Sequence, residues 1–125
     1  MIFDVAIIGA GPAGAIAAIL LRRAGLSVYV AERNNFDTIR PGEILAPPVV
    51  RSFKALSISS PELSNAIVES PGVISKWGSD EINQFDYIFS PHGVGWNLDR
   101  NHFDKSLVAI AIENGAVFDN KTNVT

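Results

Sequence analysis

The 125-residue sequence predicts an α/β domain: a parallel sheet covered by helices, with a small antiparallel segment inserted over roughly residues 72–98. Three observations carry that expectation. The apolar runs "IFDVAII" (2–8) and "LSVYVAE" (26–32) flank the helix-forming stretch "PAGAIAAILLRRA", the pattern of strand, crossover helix and second parallel strand. Within it, "VAIIGAGPAG" breaks an apolar strand into Gly9, Gly11 and Gly14. Between Gly72 and Leu98 the periodicity shortens to three strand candidates, "GVISKWG", "FDYIFS" and "GWNLD", separated by turn residues.

Taken in order, residues 2–8 read as a strand buried on both faces. Helix follows from Pro12 to Ala24, with Arg22 and Arg23 at its negative end and Gly25 as the stop. After the second strand the chain is loop-like through Glu43. Pro47 and Pro48 then open a helix expected to bury Val49, Val50, Phe53 and Leu56. Ser60, Pro61 and Glu62 signal a further helix start. A last helix spans about Asn101–Asn114, burying Phe103, Leu107, Ile110 and Ala111 and stopping at Gly115, before a third parallel strand, "AVFD".

Composition bounds the function classes. A charge of −3 leaves no footprint for nucleic acid or an anionic membrane. Cysteine is absent, which removes disulfide and thiolate chemistry. No apolar run reaches membrane-spanning length, and the start of the chain lacks the basic residues of a signal peptide, so a cytoplasmic location is expected.

The three glycines point to a ligand. Gly9 permits a tight turn, Gly11 lets backbone approach a pyrophosphate, and Gly14 lets the helix pack close to the strand. The helix start then offers free N–H groups and a positive dipole end. Glu32, ending the second strand, is placed to accept hydrogen bonds from ribose hydroxyls. This is a Rossmann-like dinucleotide site. FAD and NAD(P) share that geometry, so the motif alone does not choose between them. Arg33 suits a 2′-phosphate, but Glu32 before it would repel one.

Beyond the motif, "DVAIIGAGPAG", "VAER", "RPGEILAPP" and "WNLDRNHFDKSLVAIAIENGA" together resemble the amino-terminal part of FAD-dependent monooxygenases. The "KWGS" and "GVGWNLDRNHFD" stretches are most similar to their halogenase-like relatives, a branch that includes flavoproteins acting on quinone-cofactor oxidases. The resemblance implies that residues 1–125 form one FAD-binding domain. It places Gly9, Gly11, Pro12, Ala13 and Gly14 on the FAD pyrophosphate, Glu32 on the adenosine ribose and Arg33 beside the adenine. Arg40 and Arg100 become cofactor-contacting arginines, suited to phosphate by their guanidinium forks. NAD(P)H is then a reductant for the whole enzyme.

By the same resemblance Lys76 occupies the place of the lysine that relays oxidised halogen to substrate. An exposed lysine guarding a strand edge is the plainer account. Glu43, after Pro41 and Gly42, is expected to cap the next helix rather than to act in catalysis. His92 and His102 lack the companions of a metal site, so no metal is expected. Trp77 and Trp96 are read as packing residues, and Asp80, Glu81 and Asp86 as turn or solvated charges. The family's downstream Gly-Asp pair is absent from this sequence. The chain is therefore expected to be an incomplete piece of a flavin-dependent oxidoreductase, inactive alone and covered by a complementary chain or by a second copy. A non-catalytic nucleotide-binding module is the alternative.

Overall fold

The computed structural model describes residues 1–125, which divide into two units: 1–41 with 100–125, and 42–99. In chain order the elements are β1 (Val5–Ile8), α1 (Pro12–Arg23), β2 (Val28–Glu32), β3 (Ile44–Leu45), α2 (Pro47–Ala55), α3 (Pro61–Asn65), β4 (Ile67–Ser70), β5 (Gly72–Ser75), β6 (Asn83–Asp86), β7 (Gly95–Leu98), α4 (Arg100–Glu113) and β8 (Val117–Asn120).

The first unit is a parallel sheet in the order β1-β2-β8, with Ile7 beside Val30 and Glu32 beside Asn120. Central β2 is the most deeply buried strand. The expectation that the first strand is buried on both faces is not met. Ile7 turns toward α1, whereas Ala6 and Ile8 face outward and Ile8 is 72% exposed. In α1, Ala15, Ala18 and Ile19 are buried, and the two alanines let the helix lie close to its neighbours. It ends as the sequence predicts: Gly25 adopts a φ of +88°, and its N–H donates to the Arg22 carbonyl. Arg22 Nε donates in turn to the Asn114 carbonyl at 3.1 Å, tying the ends of α1 and α4 together. Phe103, Leu107, Ile110 and Ala111 form the buried stripe of α4. Each of the larger ones contributes about 1.5–3 kcal/mol through its removal from water.

The second unit holds the antiparallel strands, in a sheet ordered β3-β7-β4 and a separate β5–β6 hairpin. β4 was not anticipated from the sequence. "IVES" is short and only Ser70 in it is buried, so it carries no strong strand pattern. The "FDYIFS" run divides, with Asn83–Asp86 in β6 and Tyr87–Phe89 in a 3₁₀ turn. Helix α2 buries Pro47, Val50 and Phe53, while Val49 and Leu56 are exposed, because nine residues present only a narrow stripe to the core. Ser60 caps α3 as expected, its Oγ accepting the Leu63 N–H at 3.0 Å. Glu43 does not cap α2. The cap position is Ala46, without a side-chain acceptor. Backbone carbonyl, not carboxylate, is what Glu43 contributes, accepting the Leu98 N–H.

Candidate functional site

The site is built where β1 gives way to α1. Gly9 has a φ of +98°, a conformation costly for any side chain, and its N–H donates to the Ala31 carbonyl at 2.8 Å. A Cβ at Gly14 would lie 2.0 Å from the Gly9 carbonyl oxygen, so only glycine lets the helix begin here. A Cβ at Gly11 would meet nothing within 4 Å, which leaves open space over the turn. The first bond into α1 runs from the Ala15 N–H to the Gly11 carbonyl. The N–H groups of Ala13 and Gly14 precede it, and Pro12 has none to satisfy. No side chain caps this helix and no acidic residue stands in its first turn. Helix α3 differs, with its Ser60 cap and Glu62 in the first turn. The positive end of α1 therefore meets no acidic side chain of its own first turn.

Glu32 closes the opposite wall. One carboxylate oxygen accepts the Ala10 N–H at 2.8 Å and the other accepts the Asn34 N–H at 2.9 Å. Burial pushes its pKa up, but the N–H groups of Ala10 and Asn34 and the Arg40 charge outweigh that, leaving it below the ordinary glutamate value. It is therefore a fixed anion that braces the glycine turn while keeping further lone pairs for a ligand. A cleft of about 500 Å³ opens beside it, lined by Gly9, Glu32, Arg33, Asn34 and Arg40 and by Thr122–Val124.

Arg40 lies against the face of Phe36, 4.6 Å from the ring centre. Its guanidinium reaches Asp104 at 3.3 Å and Glu32 at 4.0 Å. Arg100 grips the same Asp104 with two nitrogens, at 3.0 and 2.9 Å, and donates to the Pro41 carbonyl at 2.7 Å. Asp104 is fully buried.

The sequence matches the family described as FAD binding domain over residues 3–125. The chain belongs to this family. Among relatives, it is 32% identical over 117 residues to a 1H-pyrrole-2-carbonyl-[peptidyl-carrier protein] brominase of Pseudoalteromonas luteoviolacea, covering 93% of this chain and 28% of the brominase. It is also 32% identical to the putative FAD-dependent oxidoreductase LodB of Marinomonas mediterranea, over 90% of this chain and 31% of LodB. The structure of a flavoprotein/dehydrogenase from Cytophaga hutchinsonii matches with a TM-score of 0.81 at 30% identity, over 98% of this chain and 31% of its own. The chain thus spans less than a third of the length of these relatives. It is an FAD-binding domain of the kind found in flavin-dependent halogenases and FAD-dependent oxidoreductases.

The residues present fit that cofactor. An uncapped helix start with open space over Gly11 suits a pyrophosphate, and a buried anionic Glu32 beside a cleft suits ribose hydroxyls. The structure brings Gly9, Glu32, Arg33 and Arg40 to one cleft. It engages Arg100 with Asp104 and the Pro41 carbonyl at the start of α4.

Two contributions go beyond the residues expected from the sequence. Thr122 donates its N–H to the Glu32 carbonyl at 3.0 Å, and the segment to Val124 lines the cleft. Nothing in "NKTNVT" announces this, because a cleft wall made by extended backbone has no composition of its own. Asp104 is the second. Its signal was present, an acidic residue four positions after Arg100 inside an otherwise apolar helical stripe.

Lys76 stands in the β5–β6 connection, 55% exposed and paired with exposed Asp80 at 2.6 Å. Trp77 beside it is 91% exposed, not packed, because a hairpin tip offers no interior. Trp96 does pack, edge-on to Phe53 at 5.6 Å, on the wall of a second-unit pocket of about 380 Å³. A surface ion pair such as Lys76–Asp80 contributes little. Lys76→Ala is expected to shift unfolding free energy by less than about 0.5 kcal/mol, measured by urea denaturation.

Proposed function

We propose that this domain holds the adenosine and pyrophosphate half of FAD in a monooxygenase or halogenase-like oxidoreductase that takes its electrons from NAD(P)H. The observation that carries the proposal is the uncapped, acid-free start of α1 facing the fixed Glu32 carboxylate across the glycine turn. In this reading Gly9, Gly11, Pro12, Ala13 and Gly14 follow the pyrophosphate, with the N–H groups of Ala13 and Gly14 as donors. Glu32 takes the ribose hydroxyls, Arg33 lies beside the adenine, and Arg40 and Arg100 supply positive charge. FAD, when bound, supplies the redox chemistry, while the chain binds and orients it. Lys76 is the candidate group for halogen transfer in the whole enzyme.

Two features favour a covering partner, either a complementary chain or a second copy. β1 is an edge strand of its sheet, and Ile8 in it and Ile2 before it are exposed. The hairpin unit exposes Ile74, Trp77, Phe85, Ile88 and Phe89. No helix is long and apolar enough to cross a membrane, and a cytoplasmic location is part of this proposal. Calorimetric titration with FAD, NAD and NADP tests the cofactor preference. FAD is expected to bind tightest and NADP weakest, because anionic Glu32 repels a 2′-phosphate. Tighter binding of NADP than of FAD would overturn the assignment.

A further inference from the structure

We propose that Asp104 is a positioning residue for the nucleotide site, acting through Arg40. The proposal rests on the reading of the Glu32 cleft as the adenosine site. Arg40 has three neighbours that set its place: the Phe36 ring on its face, Asp104 Oδ2 at 3.3 Å from Nη1, and Glu32 Oε1 at 4.0 Å from Nη2. Only the Asp104 contact is within hydrogen-bond reach. Asp104 is itself immobilised, fully buried and held by two nitrogens of Arg100, which is anchored by the Pro41 carbonyl one residue beyond Arg40. The fixed carboxylate therefore holds the Arg40 fork back from Glu32.

That separation matters to the ligand. Glu32 already accepts one backbone N–H on each oxygen, so a ribose hydroxyl must use what lone-pair capacity remains. An Arg40 released from Asp104 closes the 4.0 Å gap onto Glu32 Oε1 and occupies that capacity. Charge alone argues the other way. Two arginines and two carboxylates sum to zero in this cluster, and neutralising Asp104 adds a positive charge beside an anionic ligand, which by Coulomb attraction tightens binding. The two accounts predict opposite signs.

The test uses ADP as the probe, titrated calorimetrically into the full chain, with folding checked by circular dichroism. Asp104→Asn is expected to weaken ADP about tenfold, the scale of one misplaced charge-assisted contact. In an Arg40→Gln background the same change is expected to cause no further loss, because the group through which it acts is gone. Unchanged or tighter binding in Asp104→Asn, or losses that simply add, would overturn the proposal. Should Asp104→Asn fail to fold, Arg40→Lys takes its place. A lysine keeps the charge but not the fork that Asp104 holds, so its ammonium is free to close on Glu32 and a similar loss is expected, and unchanged affinity would overturn the proposal. Glu32→Ala separates the two levels. If neither it nor Arg40→Gln alters ADP binding, the cleft reading fails; if both do while Asp104 acts independently, only the positioning role fails.

Discussion

Replacing Gly14 with alanine is expected to destabilise the domain by about 3 kcal/mol or more, lowering its thermal midpoint by roughly 10–20 °C. The added Cβ would sit 2.0 Å from the Gly9 carbonyl oxygen and 3.2 Å from its carbon. Neither atom is the end of a side chain that can rotate away. Gly9 is pinned by its own N–H bond to Ala31 and by its positive φ, so the clash must be relieved by moving α1 off the sheet. Gly11→Ala is the matched control. It sits in extended backbone with nothing within 4 Å of the new methyl group, so its midpoint should stay near the parent value. Its methyl group projects into the open space over the turn, and nucleotide affinity should fall. Thermal denaturation followed by circular dichroism compares the two. A Gly14→Ala chain melting with the parent would contradict the packing described for this helix start.

Glu32→Ala is expected to cost about 2–4 kcal/mol, because two backbone donors lose their acceptor together. The Ala10 N–H lies in a fully buried residue and has no solvent to fall back on. Glu32→Gln should resemble the alanine variant more than the parent, since an amide offers one oxygen and turns its NH₂ toward the second donor. The same residue imposes a pH dependence. Its folded pKa is depressed below the ordinary value of 4.5. The stability it contributes is therefore present above that value and is lost as pH falls below it toward the folded pKa. Urea unfolding at neutral pH and below pH 4.5 should show this component in the parent chain and not in Glu32→Gln. Equal acid sensitivity in both would remove Glu32 from its bracing role.

How much of this was legible depended on whether a residue's work is local. Gly9, Gly11 and Gly14 act on backbone a few positions away, and Gly25 and Gly115 stop helices at once, so spacing alone revealed them. Glu32 was legible because a strand end fixes where its side chain must be. The partner of Arg40 was not, since the whole 42–99 unit separates it from Asp104 in sequence, whereas the Arg100–Asp104 pair, four residues apart on one helix, did carry a signal. β1 was misjudged for a related reason. "VAII" reads as a fully buried strand, but burial depends on what packs over each face, and the face carrying Ala6 and Ile8 is open. Val49 and Leu56 follow the same logic on a helix too short to cover them.

The central claim is that the start of α1 and the Glu32 cleft together receive the adenosine and pyrophosphate half of FAD. Amide chemical-shift mapping of the 13.4 kDa chain during titration with ADP tests it most directly. The account predicts the largest shifts at Gly9, Gly11, Ala13 and Gly14, at Glu32–Asn34 and at Thr122–Val124, with little change in residues 42–99. Shifts centred on the Phe53–Trp96 pocket, or an unperturbed glycine turn at saturating ADP, would contradict it.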